Sequence, residues 1–436
     1  MSVKIITGDC RQVLRTLDAD SIDSCVTDPP YHLTEGKKGG IGIASLNPKS
    51  PAGRSRIGTG FMGKAWDGGD VFFQPETWAE VYRVLKPGAY LLAFGGARTY
   101  HRLACAIEDA GFEIRDQIMW IYGSGFPKSL DVSKAIAKAA GAEREVVGTK
   151  NAGNGNGRGP GFRHAGGADG LPVTEPATGD AARWAGWGTA LKPSHEPIVV
   201  ARKPLIGTVA ANVLQHGTGA INIDAARIHG EDAKGGAYTV RRLKPGATLN
   251  KTGGNWRPEE DEARMYHGEM KAGRWPANII HDGSNEAIHA FPNDGKAGDG
   301  EIQVRAGGAN RTISDALSNS GMNVAGKVNV GIRGFGDGGS AARFFYCAKA
   351  TEAERGPGNN HPTVKPLALA RYLLRLVTPP SGRTLDICAG SGTFGVAAQQ
   401  EGFDATLIEL EPAHVEIAVR RLRADAPLLA DIEVAA

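Results

Sequence analysis

The four residues Asp28–Tyr31, Asp-Pro-Pro-Tyr, combine groups that could hold a planar amine. They follow the β-rich run SIDSCVT, which places them at the end of a strand. The two prolines fix the turn and leave the carbonyl of Pro29 without a local donor. The carboxylate and the carbonyl would accept the amine protons, and the aromatic ring would stack on the ring that carries the amine. By itself, such a tetrapeptide also occurs in loops without this role.

A second segment suited to chemistry is Thr384–Thr393, TLDICAGSGT, where an apolar strand leads into a Gly-Ser-Gly turn and a helix of small residues. Glycines let backbone N–H groups approach a ligand closely, and the helix N-terminus points at that ligand. The next strand, DATLIE, ends in Glu409, where an acidic residue usually accepts hydrogen bonds from ribose hydroxyls. The spacing indicates a cofactor that contains adenosine. The alternative is a tight turn without a ligand, and the lack of Gly-x-Gly-x-x-Gly disfavours a nicotinamide cofactor.

The composition is that of a globular protein with many glycines. The 436 residues allow about two or three domains, and 41% hydrophobic residues exclude wholesale disorder. The 61 glycines are about 14% of the chain, against a usual ~7%. A formal net charge of +3 permits a nucleic-acid partner but does not indicate one.

Several classes of protein are disfavoured. There is no run of about 18 apolar residues, so no transmembrane helix is predicted. The N-terminal MSVKIITGDC lacks the pattern of a secretory signal, and a cytoplasmic protein is expected. The five cysteines are scattered singly without a Cys-x-x-Cys pair, which argues against a disulfide scaffold and against a structural zinc site. No metal site is predicted.

Two regions of alternating strands and helices flank a long region without a period. Residues 1–147 alternate, apart from a basic, glycine-rich segment at 34–70 that is predicted to be a mobile loop. The pattern is lost over 148–340, where 151–170 are low in complexity and the later apolar islands are short. It returns over 341–436. This order predicts an α/β fold with a doubly wound, mostly parallel sheet and a long, loosely ordered insert.

Together these motifs resemble the S-adenosylmethionine-dependent DNA amino-methyltransferases, which modify exocyclic amines. Asp28–Tyr31 is similar to their catalytic tetrapeptide, and Asp386–Thr393 is similar to their cofactor loop. HPTVKP at His361–Pro366 is similar to the segment that precedes this loop, and IITGD ending at Asp9 is similar to their acidic strand-end segment. The order of catalytic half, insert and cofactor half is similar to their permuted β-type arrangement, and the middle of the chain to prophage-associated members.

The resemblance implies a Rossmann-like class I methyltransferase fold. Residues 1–147 would form its catalytic half, 148–340 a target-recognition insert and 341–436 its cofactor half. The implied reaction transfers a methyl group from S-adenosylmethionine to the exocyclic amine of adenine, in a base flipped out of double-stranded DNA. Two alternatives stay open: methylation of the cytosine N4 amine, which often goes with Ser in place of Asp28, and a catalytically silent DNA-binding protein. A homodimer is a candidate assembly.

In the catalytic group implied by the resemblance, Asp28 and the Pro29 carbonyl accept the amine protons. Pro30 helps to fix the turn, and Tyr31 stacks on one face of the flipped base. The other face would be covered by one of two aromatic residues, for which core packing is the alternative: Trp120 and Tyr122.

In the implied cofactor group, Asp386 faces the methionine ammonium and Glu409 holds the ribose. The backbone of the turn formed by Gly390, Ser391 and Gly392 approaches the cofactor closely.

Four further residues complete the implied cofactor group. Asp9 accepts from the adenine amine, caps a helix, or does both. Lys365 pairs with the cofactor carboxylate, unless it is a plain surface lysine. Thr393 binds the same carboxylate or caps its helix. Cys388 stands where the family commonly has a phenylalanine beside the cofactor, and remains apolar.

In the predicted insert, basic and aromatic side chains suit contact with phosphates and stacking on bases. Arg202 and Lys203 are the predicted DNA contacts. The alternative for any one residue of the insert is a solvated surface position. The tryptophans concerned are Trp184, Trp187, Trp256 and Trp275.

Overall fold

The computed structural model divides the chain into two compact units. The first contains Met1–Ala226, Asn278–Ala287 and Cys347–Ala436, and the second contains Arg227–Ala277 and Ile288–Tyr346. The predicted loop at 34–70, except residue 70, and the glycine-rich segment 151–170 lie outside the residues that the structure describes. The described residues are 1–32, 70–123, 125, 129–150, 171–230, 235–243, 263–294, 339–348, 354, 359, 364–426 and 431–435.

A ten-stranded, mostly parallel sheet is the frame of the first unit and confirms the predicted α/β fold. The strands of the chain are β1 (Ser2–Thr7), β2 (Ile22–Thr27), β3 (Leu85–Phe94), β4 (Glu113–Ile121), β5 (Val146–Lys150), β6 (Leu171–Thr174), β7 (His195–Arg202), β8 (Gly236–Leu243), β9 (Ala263–Met270), β10 (Ile279–His281), β11 (Asn293–Asp294), β12 (Gly339–Ser340), β13 (Tyr346–Cys347), β14 (Arg383–Asp386), β15 (Asp404–Glu409) and β16 (Asp431–Ala435). The order in the large sheet is β13-β10-β4-β7-β3-β2-β14-β15-β1-β16.

Helices follow most of these strands, as the sequence pattern predicts. Asp9 caps the first helix by accepting a hydrogen bond from the Arg11 N–H, and Pro75 opens the second at a position where no N–H is needed. The α-helices are α1 (Cys10–Leu14), α2 (Pro75–Val84), α3 (Tyr100–Asp109), α4 (Val132–Ala139), α5 (Gly179–Arg183), α6 (Val209–His216), α7 (Asn285–Ala290), α8 (Leu367–Val377), α9 (Thr393–Glu401) and α10 (Pro412–Asp425). None of the described helices is long and apolar enough to cross a membrane.

Strand β7 lies inside the sheet, where the sequence interpretation had placed the start of an insert. It pairs antiparallel with both β3 and β4, and its residues from Pro197 to Arg202 are buried. The predicted boundary at residue 148 is therefore wrong for this strand: 195–202 belong to the same sheet as the catalytic motif. A short apolar run has no period that reveals its partners, and here it supplies the hydrogen bonds that β3 and β4 need between them.

The core beneath the sheet fixes the strand that carries the catalytic motif. All six residues of β2 are buried, because both of its faces are covered. Trp78 of α2 is fully buried against this core, and its Nε1 donates to the Phe72 carbonyl at 2.9 Å. The turn that follows β2 therefore starts from a rigid position.

The second unit contains short antiparallel pairings. Strand β8 pairs antiparallel with β9, and β11 pairs antiparallel with β12. The sequence AARFFYCAKA predicts a strand, but Ala341–Phe344 forms a 3-10 helix, Phe345 is extended, and the strand itself covers Tyr346–Cys347. Ser340 caps this helix by accepting a hydrogen bond from the Ala342 N–H, which favours the helical turn over the extended form.

Candidate active site

Acidic residues at four neighbouring strand ends meet at one edge of the sheet. Asp28 follows β2, Asp386 ends β14, Glu409 ends β15, and Asp9 follows β1 after one glycine. These strands pair in parallel, so their carboxyl ends lie at the same edge, where ligands bind in sheets of this kind. The two motifs that the sequence singles out are thereby brought together across 359 residues of chain.

A hydrogen bond joins the two halves directly. The hydroxyl of Thr27, the last residue of β2, donates to Asp386 Oδ1 at 2.7 Å. Thr27 immediately precedes Asp28, and both Thr27 and Asp386 are buried. The carboxylate assigned to the cofactor and the carboxylate assigned to the target amine thus stand on adjacent, hydrogen-bonded strands.

Asp28 belongs to a closed cluster of four polar side chains. The Lys365 ammonium lies 2.8 Å from Asp28 Oδ2 and 3.0 Å from Glu196 Oε2. The Tyr31 hydroxyl lies 3.0 Å from Asp28 Oδ1 and 3.0 Å from Glu196 Oε2, and it accepts from Lys365 at 3.1 Å. The ammonium also lies over the Tyr31 and Phe94 rings, 5.5 and 4.9 Å from their centroids. We call Asp28, Tyr31, Glu196 and Lys365 the amine-site cluster.

The protons of this cluster are held firmly on Tyr31 and Lys365. Burial, with the Asp28 and Glu196 carboxylates, raises the pKa of the Tyr31 hydroxyl well above its usual value. Burial opposes the charge on Lys365, but the Asp28 and Glu196 carboxylates outweigh it and raise the pKa of the ammonium. Both groups therefore donate, and the two carboxylates are left as the proton acceptors of the cluster.

Glu196 is the residue of this cluster that sequence reasoning missed. It sits at the beginning of β7, opposite Trp120 on β4. Because β7 runs antiparallel, its beginning lies at the edge where the parallel strands end. The available signal was an acidic residue just before the buried run Pro197–Ala201, which is unusual for the start of an apolar strand.

Lys365 is not the plain surface lysine that one of its two predictions describes. Its side chain is 9% exposed, so the plain surface lysine is wrong. Its ammonium contacts Asp28 and Glu196 in the amine-site cluster, and its contact with the cofactor carboxylate stays a prediction. Of the HPTVKP segment, His361–Thr363 lie outside the described residues.

The glycine turn is held by the acidic residue at the end of the next strand. The Gly390 N–H donates to Glu409 Oε2 at 2.6 Å, and Glu409 Oε1 accepts from the Glu411 N–H at 2.9 Å. His414 Nδ1 lies 3.4 Å from the same oxygen. Burial raises the pKa of Glu409, but the donors from His414, Glu411 and Gly390 outweigh it and lower that pKa. Glu409 is therefore an anion that shapes the turn.

Gly392 shows why the turn requires glycine. Its φ of +79° lies in the left-handed region, and a Cβ there would meet the Cβ of Ala418 at 2.8 Å. Gly390 has a φ of +52°. The backbone at Gly392 can therefore come this close to helix α10 only without a side chain.

Asp386 has the property expected of a binding site for a cation. Oδ1 accepts from Thr27 and from the Cys388 N–H, whereas Oδ2 is buried and has no hydrogen-bond partner in the described part of the chain. Burial raises the pKa of this carboxyl to about 7, in spite of those two hydrogen bonds. A positively charged donor at Oδ2 would satisfy the oxygen and restore the charge, so the residue fits the ammonium of an S-adenosylmethionine.

Arg421 is a second residue that the sequence did not reveal. Its Nη1 donates to the Ser391 carbonyl at 2.7 Å, to the Ser391 hydroxyl at 3.0 Å and to the Thr393 hydroxyl at 3.0 Å, while Nη2 donates to the Glu354 carbonyl at 2.9 Å. Thr393 is the first residue of α9, whose N-cap is Gly392, so its predicted role as a cap is wrong. Arg421 instead ties both hydroxyls to α10.

The other predicted cofactor residues lie near this turn. Asp9 caps α1, as one of its predictions stated, and its carboxylate also binds the Arg11 guanidinium at 2.7 Å, which lowers its pKa. Cys388 is half-buried against the core, and burial raises the pKa of its thiol, so it remains a neutral packing residue. Their contacts with a cofactor remain predictions.

Two aromatic side chains stand beside the amine-site cluster. The Trp120 and Tyr122 rings are 5.2 Å apart, and Trp120 Nε1 is buried without a hydrogen-bond partner among the described residues. Burial, with the charge of Glu196, raises the pKa of Tyr122 to about 12. That either ring covers the flipped base stays a prediction.

The predicted DNA contacts of Arg202 and Lys203 are replaced by structural ones. Arg202 is buried, and its Nη2 lies 2.6 Å from Glu113 Oε2. The Lys203 ammonium lies 2.7 Å from both Asp20 Oδ1 and the Leu85 carbonyl. These charges stabilise the end of the sheet opposite the candidate site, so they are not available to phosphates.

Replacing Glu409 by alanine is expected to weaken cofactor binding roughly 10- to 100-fold. The change removes the acceptor of Gly390 and the proposed ribose contacts, and charge-assisted hydrogen bonds contribute about 1.5–3 kcal/mol each. Isothermal titration calorimetry with S-adenosylmethionine measures the effect. Glu401→Gln is the matched control, because Glu401 binds Arg371 and Arg375 at the other end of α9 from the turn. Equal affinity in the Glu409 variant and the unsubstituted protein would contradict the prediction.

The comparisons with known proteins identify a family and several relatives. The model of the N6_N4_Mtase family, described as DNA methylase, matches residues 22–420. Type II methyltransferase M.HindIII of Haemophilus influenzae is 25% identical over 236 residues, which cover 50% of this chain and 64% of that protein. Type II methyltransferase M.HpaI of Haemophilus parainfluenzae is 29% identical over 130 residues, which cover 30% of this chain and 35% of that protein.

The chain spans 35% to 64% of the length of these two curated relatives. Among solved structures, the complex of M1.HpyAVI with SAM aligns at a TM-score of 0.36 and 13% identity, over 97% of this chain and 100% of that chain. The PvuII DNA methyltransferase, described as cytosine-N4-specific, aligns at a TM-score of 0.40 and 13% identity, over 96% of this chain and 87% of that chain.

Proposed function

We propose that this chain, which belongs to the N6_N4_Mtase family of DNA methylases, transfers a methyl group from S-adenosylmethionine to the exocyclic amine of adenine in DNA. The observation that carries the proposal is the pair of carboxylates joined through Thr27. Asp28 offers acceptors for an amine, and Asp386 offers a buried oxygen without a partner to a cation. Two such groups on adjacent strand ends suit a reaction between two bound substrates.

S-adenosylmethionine supplies a methyl group that is already activated by its sulfonium. The residues of this chain then have to orient the amine, because the adenine lone pair is delocalised into the ring. Asp28 and the Pro29 carbonyl accept the amine hydrogens, which directs the nitrogen lone pair away from them and toward the methyl group. Pro29 is buried and Pro30 is half-buried, so the backbone of the turn keeps its conformation while the amine is aligned. Asp28 takes up the proton that the amine loses.

The cofactor is held by the residues of the glycine turn. Asp386 binds the methionine ammonium, and Glu409 binds the ribose through lone pairs that the turn leaves open. The backbone of Gly390 and Gly392 allows the close approach, and Arg421 fixes the turn through Ser391 and Thr393. Asp9, after the next strand along the sheet, would accept from the adenine amine.

Adenine is proposed rather than cytosine because of Asp28. Cytosine N4 enzymes of the resembled family often have Ser at this position. In this chain a carboxylate stands there, and it is balanced by Lys365 at 2.8 Å. The cytosine N4 amine is the second candidate, since a carboxylate and a carbonyl would hold it equally well.

Double-stranded DNA is the proposed partner. Exposed aromatic side chains in the predicted insert support this proposal. Trp184 and Trp187 are 42% and 60% exposed, with ring centroids 5.0 Å apart, and Trp275 of the second unit is 66% exposed beside Arg227. Indole rings can stack on bases, and arginine can reach phosphates. Trp256 lies outside the described residues, and a homodimer remains a prediction.

The test is transfer of a tritiated methyl group from S-adenosylmethionine to unmethylated phage DNA, followed by digestion and chromatography of the nucleosides. We expect the label in N6-methyldeoxyadenosine. Label in N4-methyldeoxycytidine would replace adenine by cytosine within the same mechanism. Binding of DNA without any label would support a catalytically silent DNA-binding protein and overturn the proposed function.

A further inference from the structure

The amine-site cluster contains one more carboxylate than the proposed reaction needs. Asp28 is the one carboxylate that the proposed reaction uses, yet Glu196 lies on the other side of the same ammonium. The three N–H bonds of Lys365 are all used, on Asp28, Glu196 and the Tyr31 hydroxyl. Tyr31 has one proton for two carboxylates, each 3.0 Å away. Lys365 and Tyr31 therefore share their hydrogens between the Asp28 and Glu196 carboxylates.

This sharing has a consequence when a target amine arrives. Asp28 Oδ1 lies 3.0 Å from the Tyr31 hydroxyl and Oδ2 lies 2.8 Å from the Lys365 ammonium, so an amine that approaches Asp28 competes with these two donors. Lys365 is 9% exposed, and a buried ammonium that loses its only counterion is strongly destabilised. The 3.0 Å contact with Glu196 gives it a second counterion within the same site.

We infer that Glu196 is a positioning residue for methyl transfer: it retains the Lys365 ammonium when the target amine takes its place at Asp28. The inference rests on the proposed function. The N–C bond forms as the bond between the methyl carbon and the sulfonium sulfur breaks, and the sulfur keeps the electron pair. One amine proton passes to Asp28 and then to solvent. Glu196 keeps its charge throughout, so Lys365 remains paired while Asp28 is protonated.

Glu196→Gln tests this role. Without Glu196, the ammonium has Asp28 as its only counterion, competes with the amine, and is left unpaired when Asp28 is protonated. We expect kcat for tritium transfer to unmethylated phage DNA to fall about 100-fold or more. Cofactor affinity by calorimetry and the thermal unfolding midpoint should stay close to those of the unsubstituted protein, because the glycine turn is untouched.

The double variant Glu196→Gln with Lys365→Met separates positioning from a structural effect. Removal of the ammonium removes the competitor of the amine, so the double variant should be at least about tenfold faster than Glu196→Gln alone. A merely structural role of Glu196 gives no such rescue. If Glu196→Gln fails to fold, Glu196→Asp is the alternative test, because it keeps the negative charge. We expect this variant to retain kcat within about tenfold, which would show that the negative charge of Glu196 is what the reaction needs.

The matched control is Glu113→Gln, which breaks an ion pair of the same two strands at their other end and should leave kcat unchanged. Unchanged kcat in Glu196→Gln, or a double variant no faster than Glu196→Gln, would overturn this inference while the proposed function stands. Absence of transfer by the unsubstituted protein would overturn both.

Discussion

Replacement of Asp28 by asparagine is expected to abolish methyl transfer while cofactor affinity stays close to that of the unsubstituted protein. The amide cannot take up the amine proton, and one of its two positions becomes a donor that repels the amine hydrogens. The loss of one such positioning or acid–base group typically costs about 100-fold or more in rate. Lys365 keeps Glu196 as its counterion, so the variant should fold. Tritium transfer to DNA and calorimetry with S-adenosylmethionine measure the two quantities.

The control for this variant is Asp20→Asn. Asp20 precedes β2 at the end opposite Asp28, and it also binds a lysine, Lys203, at 2.7 Å. Its φ of +53° is one that asparagine tolerates, so the backbone is not strained by the change. Transfer should be unaffected in this control. An Asp28 variant that keeps more than about a tenth of the unsubstituted rate would contradict the assigned role.

The elements that carry the two motifs could be predicted from the sequence because each has its own local signal. The runs before Asp28, Asp386 and Glu409 are short and apolar, and each ends in an acidic residue followed by a turn or helix. Parallel strands place such ends at one edge, so the motifs had to meet if the sheet formed. The alternation of strands and helices made that sheet the expected fold, and the structure confirms it.

Glu196 and the position of Lys365 could not be predicted, because neither depends on local pattern. Glu196 reaches the site only because β7 enters the sheet antiparallel, between two strands that precede it in the chain. Nothing in a single apolar run shows which strands it will join. Lys365 reaches Asp28 across 337 residues, and its ion pairs are set by the turn after β2 rather than by its neighbours in sequence.

The charges of the predicted insert show a related limit. Arg202 and Lys203 follow an apolar run, as exposed basic residues of a DNA-binding loop would. In the structure they close the end of β7, where Glu113 and Asp20 neutralise them. Basic residues are identified as DNA contacts only when no acidic partner is near, and such partners come from distant strands.

Asp386→Asn is expected to weaken binding of S-adenosylmethionine about 10- to 100-fold and at the same time to stabilise the free protein. The loss of affinity follows from replacing a charge-assisted hydrogen bond at Oδ2 by a donor that repels the ammonium. The gain in stability follows from burial. Oδ2 has no partner among the described residues, and burial raises the pKa of the carboxyl to about 7. The ionised Asp386 therefore destabilises the free protein and would be compensated only when the cofactor ammonium binds.

Both effects depend on the ionised carboxylate and become smaller as the pH falls. A pKa of about 7 in the folded chain, against an ordinary value of 3.8, means that the ionised carboxyl costs roughly 4 kcal/mol above pH 7. This cost decreases as the pH falls through 7 toward 3.8, because the folded protein then binds the proton that it prefers. The stabilisation by Asn should therefore be largest near pH 8 and fade toward pH 5, whereas cofactor affinity of the unsubstituted protein should fall below pH 7.

Denaturant unfolding at pH 8 and pH 5, with calorimetry at the same two values, measures both effects of Asp386→Asn. The control is Asp23→Asn, a buried aspartate of β2 whose oxygens are already used by Lys86 at 2.6 Å and by the Arg383 N–H at 2.7 Å. That change should destabilise the protein at pH 8 and leave cofactor affinity unaltered. Asp386 Oδ2 has no partner among the described residues, and the cofactor ammonium would supply one. We therefore expect Asp386→Asn, unlike Asp23→Asn, to lose cofactor affinity and to gain folding stability. A loss of stability in Asp386→Asn at pH 8 would show that Oδ2 is already satisfied in the free protein, and would remove the argument for a cation at this site.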